Sequence, residues 1–394
     1  LFFNIFHTSC IGLTEQMMSV FGLFLVATPS STPTAFSTLV DRINAHSPGW
    51  TARVPTRFAD FEAVASVCGT ILEADAPKEP ALNEIGLKDF PTSFDARQRW
   101  PECSVIAHVG DQGMCGSCWA FSATQTAEAA VCIKFGQNVL LSKDDTAGCC
   151  SGSLCGYSKS CEAGTPRAAL LWITRVGVVT GGDYNSSQGC KPYEFPPCNI
   201  NPGHPSPLPD CVKPPTPSTI KCTESCLPGY ATSYTADKVG AKPGMAVGLF
   251  YRDDHQSHMM EAIMTTGPIS AAFTVMQDFP LYHDGVYRHV TGSPLGGHAV
   301  TIVGWGEQPN VTGNATPYWL VKNSWSPSWG GLGGYFKIRR GTNECGIEGS
   351  PVALVYQNGT DGGDTPAVEE EGAREGVAAA AAEGVAAAAT AEGV

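Results

Sequence analysis

The sequence predicts an α+β protein of two subdomains facing one another across a cleft. Three observations carry that expectation. A helix-like run from Ser117 to about Gly136 marks the first half, and glycine-punctuated strand-like runs fill the second half from Pro268. Between them, residues 190–229 hold eleven prolines and five cysteines. With 394 residues and 43% apolar content, the chain can bury a substantial core.

Taken in order, residues 1–30 are expected to comprise an upstream extension and, from Met17, a signal peptide. MMSVFGLFLVATPS has the apolar length of a secretory signal, lacks a basic leader and is too short to span a bilayer. Residues 31–88 read as a small, charged, weakly helical segment with a lone Cys68. Lys88-Asp-Phe-Pro then opens a cysteine-rich region. Inside it, Trp119, Ala120, Ala123, Ala127 and Ala130 predict one apolar helix face, with Gly136 as the stop. Proline denies both helix and ladder hydrogen bonds, so 190–229 is expected to be an irregular loop stapled by disulfides. Strands are expected at Ile269–Val275, Ala299–Gly304, Tyr318–Val321 and Tyr335–Arg339. The tail, 359–394, is rich in Ala, Gly and Glu, has no aromatic residue and cannot bury a core.

The net charge is −13, but from Asp361 onward eight acids face one base, Arg374, so the rest is only mildly acidic. No basic patch is present to neutralise phosphates, which excludes a nucleic-acid partner. Sixteen cysteines, thirteen of them between Cys103 and Cys226, suit an oxidising compartment. Four Asn-x-Ser/Thr sequons, at Asn185, Asn310, Asn314 and Asn358, point the same way.

The stretch QGMCGSCWAF, from Gln112 to Phe121, offers three chemistries. Its Cys-x-x-Cys spacing fits a redox pair, half a metal site, or a nucleophile beside a structural cysteine. A nucleophilic thiol needs a helix N-terminus or an imidazolium to hold it as thiolate. Cys118 stands where the helix begins. Of the nine histidines, His298 in LGGHAVTIVGWG is best placed, at the mouth of a strand after two glycines. Asn323 in VKNSWSPSWGG follows another strand, can orient an imidazole through its carbonyl, and has Trp325 beside it as a shield. His255 and His258, in HQSHMM, read as a solvated stretch rather than metal ligands.

These residues make the chain resemble the papain family of cysteine proteases, and within it the cathepsin B-like group. Cys-Gly-Ser-Cys-Trp at 115–119 is the family signature. His298 and Asn323 lie farther downstream than the roughly 130–150 residues usual for the family. The insert at 190–229, where cathepsin B carries its extra loop, accounts for the surplus. DRINAHSPGWTARVPTRFADFEAVASVCGTI resembles the cathepsin B propeptide, including its cysteine, here Cys68.

The resemblance implies a papain-like fold, with a helical left subdomain and a β-barrel-like right one. The protease domain would span 89–358, preceded by a propeptide at 31–88. It implies Cys118 as nucleophile, His298 as its partner, Asn323 as orienting residue, and Gln112 with the Cys118 N–H as oxyanion hole. Gly116, Gly164, Trp325 and the position of Ser350 would contact substrate, and His204, the one histidine of the 190–229 loop, could substitute there for the family's carboxylate-binding imidazoles. It also implies disulfides Cys103–Cys132, Cys115–Cys161, Cys149–Cys222, Cys150–Cys155, Cys190–Cys226 and Cys198–Cys211. No metal or other cofactor is needed. Polypeptide substrates, the chain's own propeptide as inhibitor and cystatin-type inhibitors are the implied partners. Passage through the secretory pathway to a lysosome-like compartment, or secretion, is the implied location.

Several positions depart from the pattern. The His-His pair that gives cathepsin B its dipeptidyl-carboxypeptidase activity is replaced by Asn199-Ile200-Asn201 after Cys198. No arginine lies between Cys198 and Cys211 to latch the loop, and Ser328 stands where its acidic partner belongs. Glu162-Ala163-Gly164 replaces Asn-Gly-Gly, and Ser350 replaces the acid that admits arginine in the second pocket. The expected enzyme is therefore an endopeptidase with reduced or absent exopeptidase activity and an apolar second pocket. A disulfide oxidoreductase using Cys115 and Cys118, or an inactive homologue, are the alternatives.

Overall fold

A computed structural model describes residues 34–46, 49–73, 89–201, 206, 208–211, 219–240, 245–249, 255–309 and 313–356. The signal-like run, the stretch 74–88, His204 and the tail lie outside the described residues. In chain order the elements begin with α1 (Thr34–His46), β1 (Trp50–Ala52) and α2 (Phe61–Ala65) of the N-terminal segment. The helical half follows: β2 (Phe94–Asp95), α3 (Ala96–Arg99), α4 (Ser104–Ala107), α5 (Cys118–Phe135), α6 (Lys143–Cys149), α7 (Pro166–Val176) and α8 (Tyr234–Asp237). The sheet half holds β3 (Met245–Leu249), α9 (His255–Thr265), β4 (Ile269–Met276), β5 (Tyr282–Tyr287), β6 (Pro294–Pro309), β7 (Ala315–Lys322), β8 (Tyr335–Arg339) and β9 (Val352–Tyr356).

Helix α5 ends where its sequence says it should. Gly136 takes the left-handed conformation at φ 67° and returns its amide to Cys132 O. The single apolar face does not describe it, however. Every residue from Cys118 to Cys132 is buried, including Ser122, Thr124, Gln125, Thr126 and Glu128. α5 lies between the helical core and the sheet, so several of its polar side chains find partners on one side or the other, while Thr126 Oγ1 is buried without one. Ser122 donates to Val300 O, Thr301 donates to Gln125, and Glu128 pairs with Lys143.

The strands run β1-β5-β8-β7-β6-β4-β9-β3, with β2 added on β6. Most neighbours are antiparallel; β5 and β8 are parallel. The sheet is open rather than a closed barrel, because β1 and β3 each pair on one side only. The edge strand β1 belongs to the N-terminal segment, with Trp50 opposite Gly285. That segment also adds Phe36, Ile43, Phe58, Val64 and Val67 to the core that holds Phe273, Trp319 and Phe336.

The loop at 190–229 has neither helix nor strand among its described residues and is tied by Cys190–Cys226, Cys198–Cys211 and Cys149–Cys222. HQSHMM falls in α9, which buries Met259 and Met260 and leaves His258 half-buried, so the stretch is not wholly solvated. Among the described residues no helix is long and apolar enough to cross a membrane.

Candidate active site

Cys118 is the first residue of α5, at the positive end of the helix dipole, and it is fully buried. His298 comes from β6, opposite Phe273 of β4. β7 pairs with β6 so that Lys322 faces Thr301, and the chain leaving β7 delivers Asn323 beside His298. The result is a 2.8 Å bond between His298 Nε2 and Asn323 Oδ1.

The direction of that bond follows from a second one. Asn323 Oδ1 also accepts from the Ser324 backbone N–H at 2.8 Å, and an N–H can only donate. The amide oxygen is thereby fixed, so His298 Nε2 must carry the proton. Its Nδ1 is buried with no nitrogen or oxygen partner, which leaves it for Cys118. Trp325, fully buried, covers the imidazole with ring centroids 4.7 Å apart.

Burial alone would raise the Cys118 thiol. The His298 charge, hydrogen bonds from His298 and Thr70, and the Ala299 backbone bond outweigh it and bring the thiol down to about 7. Cys115, three residues earlier, is bonded to Cys161, so no 115–118 redox pair forms in this structure. The other bridges are Cys103–Cys132 and Cys150–Cys155. Among the described residues no cluster of His, Cys, Asp and Glu is arranged to hold a metal.

Gln112 is buried with its amide also oriented. Ser324 Oγ donates to Gln112 Oε1 at 2.7 Å, which turns Nε2 outward. Nε2 then donates to Cys115 O at 2.7 Å and to Val67 O at 2.9 Å. Val67 belongs to the N-terminal segment. A backbone carbonyl of that segment therefore rests on the side-chain amide beside the thiol.

The same segment fills the rest of the cleft. Thr70 Oγ1 lies 3.0 Å from Cys118 Sγ. Thr70 N donates to Gly297 O, Ile71 N to Gly164 O, and Gly164 N to Gly69 O, each at 2.9–3.0 Å. Glycine permits this approach from both walls. A Cβ on Gly69 would strike Gly116 O, and one on Gly297 would strike Thr70 O and Leu72. Upstream, Arg57 makes a two-pronged bond to Asp111 at 2.6 and 2.7 Å, both side chains only 7% exposed. Its other contacts are Trp325 O and Gly113 O, both at 3.3 Å.

The papain family cysteine protease profile matches residues 90–355. The chain belongs to the papain family of cysteine proteases. Cathepsin B-like cysteine proteinase 4 of Caenorhabditis elegans is 40% identical over 332 residues, 82% of this chain and 93% of the relative. Cathepsin B-like cysteine proteinase 5 of the same organism is 45% identical over 68% of this chain and 74% of its own length. The solved procathepsin B S9 from Trypanosoma congolense is 30% identical with a TM-score of 0.65, covering 83% of this chain and all of that one. This papain-family chain is a cysteine peptidase of cathepsin B-like type in its zymogen form, and the segment on the cleft is its inhibitory prosegment.

Of the sequence-derived site residues of this papain-family protease, Cys118, His298, Asn323, Gln112 and Trp325 come together, with Gly116 and Gly164 on the adjoining wall. Ser350 is half-buried at the entry to β9. Sequence reasoning missed Thr70, Ser324, and the Arg57–Asp111 pair. Ser324 had a signal, since it directly follows Asn323 in VKNSWS.

Proposed function

We propose that the chain is a cathepsin B-like cysteine endopeptidase with reduced or absent dipeptidyl-carboxypeptidase activity. The single observation that carries the peptidase chemistry is the Val67 carbonyl on Gln112 Nε2, beside a lowered thiol. In turnover a substrate carbonyl takes that place. The Cys118 thiolate attacks its carbon, and Gln112 Nε2 with the Cys118 N–H holds the developing oxyanion. His298, protonated by the thiol and held by Asn323, gives its proton to the leaving amine; water then releases the acyl group from Cys118. The Cys115–Cys161 bond argues against a disulfide oxidoreductase, and the presence of all four groups argues against an inactive homologue.

The endopeptidase weighting rests on the loop. Where imidazoles would take a C-terminal carboxylate, Asn199 is bonded to Asn201 O and Asp210, and Ile200 is buried, its backbone bridged to Phe58 of the N-terminal segment. Ser328 bonds to its neighbour Ser326 and, among the described residues, not to the loop. Ser350 brings no carboxylate, which favours an apolar residue in the second pocket. Six disulfides, with exposed sequon residues Asn185 and Asn314, support a secretory route ending in a lysosome-like compartment or outside the cell. Activation would cut near Lys88–Phe90.

Matched peptides, blocked or free at the C-terminus, test the reading on the activated enzyme. Internal cleavage of both at similar rates is expected. Dominant release of dipeptides from free C-termini would overturn it, and activity surviving in Cys118→Ala would overturn the nucleophile.

A further inference from the structure

We infer that Tyr193, at the root of the 190–229 loop, is a positioning residue that sets the spacing of the two oxyanion donors. The inference rests on the roles proposed above for Gln112 and the Cys118 N–H.

One phenol hydroxyl ties together both ends of the segment that carries those donors. Tyr193 Oη donates to the Gln112 backbone carbonyl at 3.0 Å. That uses its only proton, so the 2.8 Å contact with Ser117 must have Ser117 Oγ–H donating to Tyr193 Oη. The relay therefore runs from Ser117, the residue before the Cys118 amide, to Gln112. All three residues are buried, so water does not compete, and bonds in such a chain strengthen one another.

A second observation concerns Ser117 itself. It occupies the N-cap of α5, yet its side chain makes no capping bond. Serine at that position ordinarily spends its oxygen on an amide of the first turn. Here the hydroxyl is spent on Tyr193 instead.

The tyrosine is held firmly enough to act as a reference point. Its ring meets Phe121 edge-on at 4.9 Å, and its N–H donates to Gly182 O at 3.0 Å. Cys190 is bridged to Cys226, Lys191 pairs with Asp144 at 3.2 Å, and Glu194 N donates to Asp144 at 3.1 Å. Phe195 and Pro196 close over Gly113, which sits at φ +60° and whose Cβ would come within 2.7 Å of Pro196 O. Burial raises the Tyr193 phenol well above its usual range, so it stays a neutral donor. Donors must lie about 2.7–3.1 Å from the oxyanion, so this spacing has little tolerance.

Tyr193→Phe keeps the ring and removes only the hydroxyl. In the activated enzyme, kcat/KM for a blocked peptide substrate is expected to fall about tenfold, the worth of one buried hydrogen bond. The Ki of a peptide aldehyde, whose adduct puts an oxyanion in the same place, should rise by the same factor. The pH midpoint for alkylation of Cys118 by iodoacetamide should not move, because the thiolate–imidazolium pair does not depend on the oxyanion donors. Ser117→Ala, which cuts the relay at its other end, should show the same pattern more weakly and serves if Tyr193→Phe does not fold. Unchanged kcat/KM and aldehyde Ki overturn the inference, as does a shift in the alkylation midpoint that tracks the loss of activity. Gln112→Ala, run alongside, separates the two failures. If it too leaves both quantities unchanged, the oxyanion reading itself falls; if it alone loses them, only the role of Tyr193 does.

Discussion

The chemistry at Cys118 depends on which nitrogen of His298 carries the proton, and that is decided two bonds away. Ser324 N–H fixes the Asn323 oxygen, and Ser324 Oγ fixes the Gln112 amide, so one serine orients both an imidazole and an oxyanion donor. Against the upward push of burial, the His298 charge, helped by hydrogen bonds from His298 and Thr70 and at Ala299, lowers the thiol from its ordinary range to about 7, and the sign of the consequence follows. A depressed thiol contributes stability that is full above the unfolded value and is lost as pH falls through the folded one. The Tm gap between the parent zymogen and Cys118→Ala should therefore widen as pH rises from below 7 to about 9. A gap constant over that range in thermal melts would mean that the thiol is not ionised there. Cys118, His298 and Asn323 could be picked out because each sits in a short motif whose chemistry is local. Thr70 could not, since it reaches the sulfur from 48 residues upstream, and the likeness of its segment to a propeptide does not say which residue meets the thiol.

At the scale of elements, apolar spacing located α5 and four strands of the sheet half, but not what covers them. The one-sided reading of α5 failed because Ser122, Gln125 and Glu128 are buried with partners inside the molecule, which spacing cannot reveal. The descent of the prosegment into the cleft was implied by the family resemblance alone and not by apolar spacing, as it is secured by backbone bonds and glycine gaps rather than by side-chain periodicity. Among the described residues its buried charged clasp is Arg57 on Asp111. Removing one partner of so buried a pair costs about 3–5 kcal/mol, because the other charge is stranded. Arg57→Ala should therefore convert to active enzyme faster than the parent at neutral pH, and Arg57→Lys, which keeps the charge but loses the fork, should fall between them. The time course of peptide hydrolysis after dilution into activation buffer measures this. An unchanged lag would show that the clasp does not limit release.

For the molecule as a whole, prosegment and enzyme share one hydrophobic core rather than meeting at a rim. Phe36, Ile43, Trp50, Phe58, Val64 and Val67 are buried with Phe273, Phe279, Trp325 and Phe336. Trp50 ties the segment to the sheet: it stacks on Tyr282, tilts against Tyr287 at 5.1 Å, and donates to Arg288 O at 3.0 Å. An inhibitor that binds the folded enzyme and not the unfolded chain stabilises the fold by mass action, and a tethered one does so at high effective concentration. The zymogen should consequently melt in a single transition above that of the activated enzyme. Trp50→Ala, losing about 3–5 kcal/mol of packing, should lower that transition by roughly ten degrees, towards the activated form, without splitting it. Calorimetry decides the matter. A separate low-temperature transition for the prosegment, with the main one unmoved by Trp50→Ala, would show that the shared core is geometric only and that inhibition rests on the cleft contacts at Val67, Thr70 and Arg57.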